Sequence, residues 1–406
     1  MADPEAVSAR APDLAASPLL VFYEMTKACD LACRHCRANA RTARHPEELT
    51  TAQADALADA LTGFARPPIL VLTGGDPFKR DDLFDISSHA RSIGLPVALA
   101  PSATPRVTPE ALARLKAAGV DRIALSLDGA DAATHDAFRG FPGSFDRTIR
   151  ILADARHAGL SLQVNTTITR RNETQVDAIA ERIAPLGISL WSVFFLVNVG
   201  RGTAEARIAQ ADYERVFERL WHHAQTKPFG VKTTEAHHYR RFVLQRGGDP
   251  WAGLRTGHSS AAPSPPRPPL PKGEGEELKG MSVPKNDFPS PAGGGAGGGV
   301  PVRAGVHDGA GVMFVGHTGI IQPSGFLPLA CGRFPADDPV EVYRSHPTFV
   351  ALRDSGALKG KCGACEFKQV CGGSRARAYA VTGDFLESEP DCLYVPSAWK
   401  EARARC

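Results

Sequence analysis

Nine cysteines in a chain of 406 residues constrain the fold more than any other feature. They stand at positions 29, 33, 36, 331, 362, 365, 371, 392 and 406, and seven of them fall into two tight groups at opposite ends of the chain. A secreted disulfide framework favours an even count in a short chain behind a signal peptide. The start, MADPEAVSARAPDL, has no apolar core behind a basic head, so no secretory signal is expected. Two metal sites in a reducing cytoplasm fit the pattern better. Lys+Arg 47 against Asp+Glu 44 leaves a charge of +3, too near neutral to argue for nucleic acid or an anionic membrane as partner. The apolar runs Ile69–Leu72 and Val193–Val197 fall far short of the roughly 20 residues of a membrane span.

Between these groups the chain alternates. Strands are expected at Leu19–Thr26, Ile69–Thr73, Val97–Ala100, Arg122–Leu127, Ser161–Thr167 and Leu190–Val197, all apolar enough for buried parallel strands. Helical patterns lie between them, at Thr51–Phe64 and from an N-cap at Thr108 with Pro109 behind it to a stop at Gly119. A helix at Ala209–Gln225 closes the series. Six β-then-α units predict a parallel barrel or a doubly wound sheet over 18–227, after a flexible lead-in at 1–17. A linking region is expected at 228–257. Residues 258–305 are Pro- and Gly-rich and nearly without aromatics, the composition of a dispensable, disordered insertion. A Cys-rich domain at 306–406 follows, with a strand pair at Gly311–Ile321 turning near Gly316 and Gly319.

Cys29, Cys33 and Cys36 follow the first strand with C-x3-C-x2-C spacing. Three thiolates can hold one corner of a four-iron cubane and leave one iron open, whereas a closed zinc site wants a fourth ligand. His35 lies between two of the cysteines and can hardly fold onto the same ion. The second strand runs into Thr73-Gly74-Gly75-Asp76-Pro77, the fourth ends Ser126-Leu127-Asp128-Gly129, and Arg139 follows in HDAFRG. Strand ends are where an α/β barrel carries its chemistry. Asp128 is equally suited to cap the next helix.

Together these motifs resemble the radical S-adenosylmethionine superfamily. The resemblance implies a TIM-like partial (β/α)6 barrel whose first [4Fe-4S] cluster, on Cys29, Cys33 and Cys36, binds S-adenosylmethionine at its open iron. It implies cofactor contacts from Thr73, Gly74, Gly75, Asp76, Ser126, Asp128, Arg139 and Asn165, with His35 where the family often has an aromatic and Asp76 where Glu is common. Reductive cleavage of the sulfonium then gives a 5′-deoxyadenosyl radical that takes a substrate hydrogen. An external donor such as flavodoxin or ferredoxin is implied, in the cytoplasm.

Cys362, Cys365, Cys371 and Cys392 supply four thiolates, enough to close a zinc ribbon or a second cluster. The tail is similar to the SPASM or twitch extensions of the superfamily, which implies one auxiliary [4Fe-4S] cluster in a small iron–sulfur domain. Cys331 is isolated among apolar residues and reads as a buried free thiol, and Cys406 as unliganded. The tail and the segments TTEAHHYRR and PSGFLPL resemble the subgroup that processes tetrapyrrole side chains, which implies oxidative decarboxylation of propionates. Arg201, His237, His238, Arg240 and Arg241 could supply cations for those propionates, and each also reads as a solvated loop charge. Two other functions fit the residues: a maturase acting on a small peptide, and a non-catalytic iron–sulfur or zinc protein.

Overall fold

A computed structural model describes residues 13–252 and 305–404. The segment read as an insertion, 258–305, falls outside the described residues except for Gly305, as do Cys406 and residues 1–12.

Strands β1 (Leu20–Thr26), β2 (Ile69–Gly74), β3 (Val97–Leu99), β4 (Val120–Ser126), β5 (Ser161–Ile168) and β6 (Leu190–Phe195) lie where the apolar runs place them. Each pairs in parallel with the next. The expected six-stranded limit is exceeded at both edges. β7 (Gly230–Thr234) continues the parallel order beside β6, inside the region read as a linker. Beyond the insertion come β8 (His307–Asp308), β9 (Gly311–Val315), β10 (Ile320–Gln322) and β11 (Gly332–Arg333). β9 joins the other edge, parallel to β1, and then pairs antiparallel with β10, so the strand pair around Gly316 and Gly319 is present. The tail is thus built onto the barrel sheet itself, in the order β11-β10-β9-β1 through β7. The lead-in is docked from residue 13 onward, where the Tyr343 hydroxyl donates to the Leu14 carbonyl at 2.6 Å.

Helix ends follow the local chemistry. Thr108 caps Pro109–Ala117 by accepting from the Ala111 amide at 3.2 Å. Helices cover the outer face of the sheet, where Leu125, Val164, Trp191 and Val231 are buried with Leu112, Ile151, Ile179 and Leu220. The inner face is different. β5 alternates along SLQVNTTI, and its Gln163 and Asn165, with Phe194 on β6 and Lys232 on β7, are only half-buried. Period-two alternation puts these side chains opposite the helix-packed core, toward the lumen. No helix among the described residues is long and apolar enough to cross a membrane.

Candidate active site

The three cysteines lie on the loop that leaves β1. Cys29 and Cys33 are buried and Cys36 is half-buried, and every cysteine among the described residues is a free thiol. Three elements hold this loop. The β2 turn grips it first: the Asp76 amide donates to Ala28 O at 2.7 Å and the Gly75 amide to Thr26 O at 2.8 Å. The helix Ala132–Arg139 meets it next. The Arg34 amide donates to Phe138 O at 3.1 Å, and the half-buried His35 ring stacks on Phe138 at 4.3 Å and 24°. Burial, with the charges of Arg139 and Arg201 adding to it, holds His35 well below the usual histidine range. The segment after β6 is the third: Arg201 donates to Cys33 O and Ala40 O, both at 2.9 Å. Arg201 therefore braces the cysteine loop through Nε and Nη1, while its buried Nη2 is left without a partner.

Gly75 explains the tight turn after β2. A Cβ there would lie 2.4 Å from Ala28 O and 2.7 Å from Lys27 O, both backbone atoms that cannot yield cheaply. Gly75→Ala is expected to force the turn off the cysteine loop at about 1–3 kcal/mol of strain. The rate of 5′-deoxyadenosine formation should fall roughly 5- to 150-fold, the same strain expressed as a rate factor. A rate equal to wild type would show that this contact does not govern the site.

The remaining expected cofactor residues fall around the same end of the sheet. Thr73 and Gly74 close β2, and Ser126 faces Asn165 in register across β4 and β5. Asn165 is half-buried and accepts from Gln163 Nε2 at 2.8 Å. Asp76 is fully buried, with Oδ1 accepting from the Phe78 amide at 3.2 Å and Oδ2 from the Thr104 hydroxyl at 2.7 Å. Burial outweighs these bonds and pushes its carboxyl up to about 6. Asp128 is not a helix cap; Asp131 fills that role, accepting from the Thr134 amide. Asp128 instead pairs with Arg139 at 2.5 Å and accepts from the Thr167 amide at 2.7 Å. Arg139 in turn lies 3.6 Å from the Cys33 thiol. One residue here was not foreseen. Ser102, after β3, donates to Gly75 O at 2.7 Å and sits 3.2 Å from the Cys29 thiol. The only signal for it was that a strand had just ended.

These residues fit a cluster and its ligand. Burial pushes the Cys29 and Cys33 thiols upward, which disfavours bare thiolates unless a cation compensates them. Arg139 opposes that rise at Cys33. Among the described residues no group of three or more His, Cys, Asp or Glu side chains is gathered as it would be around a single metal ion.

The tail presents the second set. Cys362, Cys365, Cys371 and Cys392 line one pocket with His238, Arg241 and Tyr394. Burial pushes the Cys365 thiol up to about 12 and Cys392 up to about 11. Amides point at sulfur here too, from Glu389 to Cys362 at 3.2 Å and from Gly373 to Cys371 at 3.4 Å. Cys331 lies elsewhere, buried in the main core with its thiol 3.4 Å from Leu329 O.

Of the other cations expected to meet a substrate, most are committed to the protein. Arg240 donates to Val306 O at 2.5 Å and Val370 O at 3.1 Å, and Arg241 binds Glu214 and Gln245. His237 Nδ1 is 2.9 Å from Gly373 O.

Residues 23–183 match the family model described as the radical SAM superfamily. The chain belongs to that superfamily, and it is a radical SAM enzyme. An AdoMet-dependent heme synthase from Methanosarcina barkeri is 37% identical over 380 residues, 94% of this chain and 97% of that one. A pre-heme d1 synthase from Dinoroseobacter shibae is 27% identical, covering 92% of this chain and 85% of that one. The fold is similar to that of Streptococcus suis SuiB bound to S-adenosylmethionine, with a TM-score of 0.64 over 93% of this chain and 78% of that one at 16% identity.

Proposed function

We propose that this enzyme removes carboxyl groups oxidatively from the propionate side chains of a tetrapyrrole. The observation that carries this reading is near end-to-end similarity to an AdoMet-dependent heme synthase, over 94% of this chain and 97% of that one. Cys29, Cys33 and Cys36 would hold the catalytic cluster, and Cys362, Cys365, Cys371 and Cys392 an auxiliary one. When bound, these groups and S-adenosylmethionine supply hydrogen-atom abstraction and a one-electron site, chemistry that side chains cannot provide. The chain does the rest. The Gly74-Gly75 turn offers backbone carbonyls to the cofactor ammonium. Arg139, fixed by Asp128, sets a positive charge beside Cys33. Ser126 and Asn165 face the lumen side by side, where they can orient a ribose or carboxylate. For the substrate, loss of one hydrogen atom from the propionate β-carbon and of one electron releases carbon dioxide and leaves a vinyl group.

Anaerobic incubation of the holoenzyme with iron-coproporphyrin, S-adenosylmethionine and dithionite tests this. Each turnover should remove the elements of formic acid from the porphyrin mass and yield one 5′-deoxyadenosine. An unchanged porphyrin, with consumption of a short peptide encoded nearby, would move the enzyme to the peptide maturases.

The tail is tested by counting metal. Reconstituted protein should hold about eight irons per chain, four from each cubane. The Cys29, Cys33, Cys36 triple Ala variant should keep about half. Cys331→Ser should keep all of it, and Cys371→Ser should lose the auxiliary signal in electron paramagnetic resonance. Zinc in place of iron, or iron loss in Cys331→Ser, would overturn this ligand set.

A further inference from the structure

The helix His238–Leu244 follows β7 and belongs to the barrel half of the chain. Its first residue, His238, is 1% exposed, and neither ring nitrogen has a hydrogen-bond partner among the described residues. On one side its ring packs against Phe217 at 4.9 Å and Tyr213 at 5.1 Å. On another it lines the pocket of Cys362, Cys365, Cys371 and Cys392. A phenylalanine or leucine would serve the aromatic side equally well. A neutral imidazole carries one donor and one acceptor, and leaving them buried and unmade is costly. Its missing partner therefore belongs in the pocket. Arg241, one turn further along the helix, lines the same pocket; Glu214 and Gln245 take its two terminal nitrogens, and its buried Nε is left without a partner. The amides of Gly373 and Glu389 that already point at sulfur come from the tail itself.

We propose that His238 is a hydrogen-bond donor from the barrel to the group held by the four tail cysteines, its N–H bound to a sulfur of that group, an inference that rests on the tail being an iron–sulfur site. Donors to cluster sulfur stabilise the reduced state and raise the reduction potential. His238 is then a positioning residue that couples the auxiliary site to the barrel.

The test uses the full chain carrying the Cys29, Cys33, Cys36 triple Ala substitution, so that only the tail centre remains. Its midpoint potential is measured by titration under electron paramagnetic resonance, with iron content and nitrogen couplings recorded alongside. In H238F the iron content should stay at about four per chain, while the midpoint moves to more negative potential. H238Q, which keeps an N–H donor, should recover most of that shift. An unchanged midpoint in H238F with full iron would overturn the proposal. So would a strong nitrogen coupling in the triple variant, which would make His238 a ligand, or iron loss in both His238 variants. Zinc in the triple variant before any change at His238 would instead overturn the iron–sulfur reading of the tail, and the proposal with it.

Discussion

The Cys33→Ala protein is expected to form no 5′-deoxyadenosine above background when dithionite supplies the electron. Cys33 is the middle of three thiols and is buried. Its carbonyl accepts from Arg201 at 2.9 Å and from the Cys36 amide at 3.3 Å, and its sulfur lies 3.6 Å from Arg139. A cubane that must keep one iron open for its ligand has three thiolates and none to spare. Removing one leaves no substitute nearby, because His35 is turned onto Phe138. The fold should survive, since Arg139 keeps its pair with Asp128 at 2.5 Å and Arg201 still has Ala40 O at 2.9 Å. Iron content near half that of wild type, with the auxiliary signal intact, would show that only the first site was lost. Cleavage at the wild-type rate would mean that these cysteines do not hold the catalytic cluster.

Much of this architecture was legible because it is local. Buried parallel strands need apolar runs, and six of them announced themselves, as did the Thr108 cap and the cysteine spacing. β7 was missed because GVKTT carries a lysine and two threonines, and only its position beside β6 shows that Lys232 faces the lumen. The tail's attachment to β1 through β9 was not readable, since 284 residues lie between those strands in the chain and register across such a gap leaves no local trace. Residue types also misled. Arg201 and Arg240 look like substrate cations in sequence, but Arg240 spends both terminal nitrogens on backbone carbonyls, and Arg201 spends Nε and Nη1 there and leaves only its buried Nη2 without a partner. Asp128 had two open roles, and the choice between them depended on Asp131 being better placed to cap the helix. Ser102 could not be found at all, because a serine after a strand carries no pattern until Gly75 and Cys29 are brought to it.

Arg377→Met is expected to destabilise the protein by about 3–5 kcal/mol, the usual cost of breaking a buried pair from one side. Arg377 is fully buried in the helix Arg375–Thr382 and reaches from the tail into the barrel. Its guanidinium lies 3.1 Å from Glu389 and 3.2 Å from Asp391, and it donates to the Phe195 and Leu196 carbonyls at the end of β6, both at 3.3 Å. The same cluster takes in Tyr213, whose hydroxyl donates to Asp391 at 2.7 Å, and Ser374, which caps the helix and donates to Glu235 beyond β7. Methionine fills most of the volume but satisfies none of these acceptors, and it leaves Glu389 buried with only the Ser374 and Asp391 amides as donors. Unfolding of a cluster protein is rarely reversible, so the measurement is the rate of loss of secondary structure at a fixed temperature. Each 1.4 kcal/mol lost from the folded state alone is about a tenfold faster loss. Arg377→Lys should recover part of the effect, since a lysine keeps the charge but cannot reach both the carboxylates and the two carbonyls at once. A Met variant that decays as slowly as wild type would show that Arg377 does not govern the attachment of the tail to the barrel.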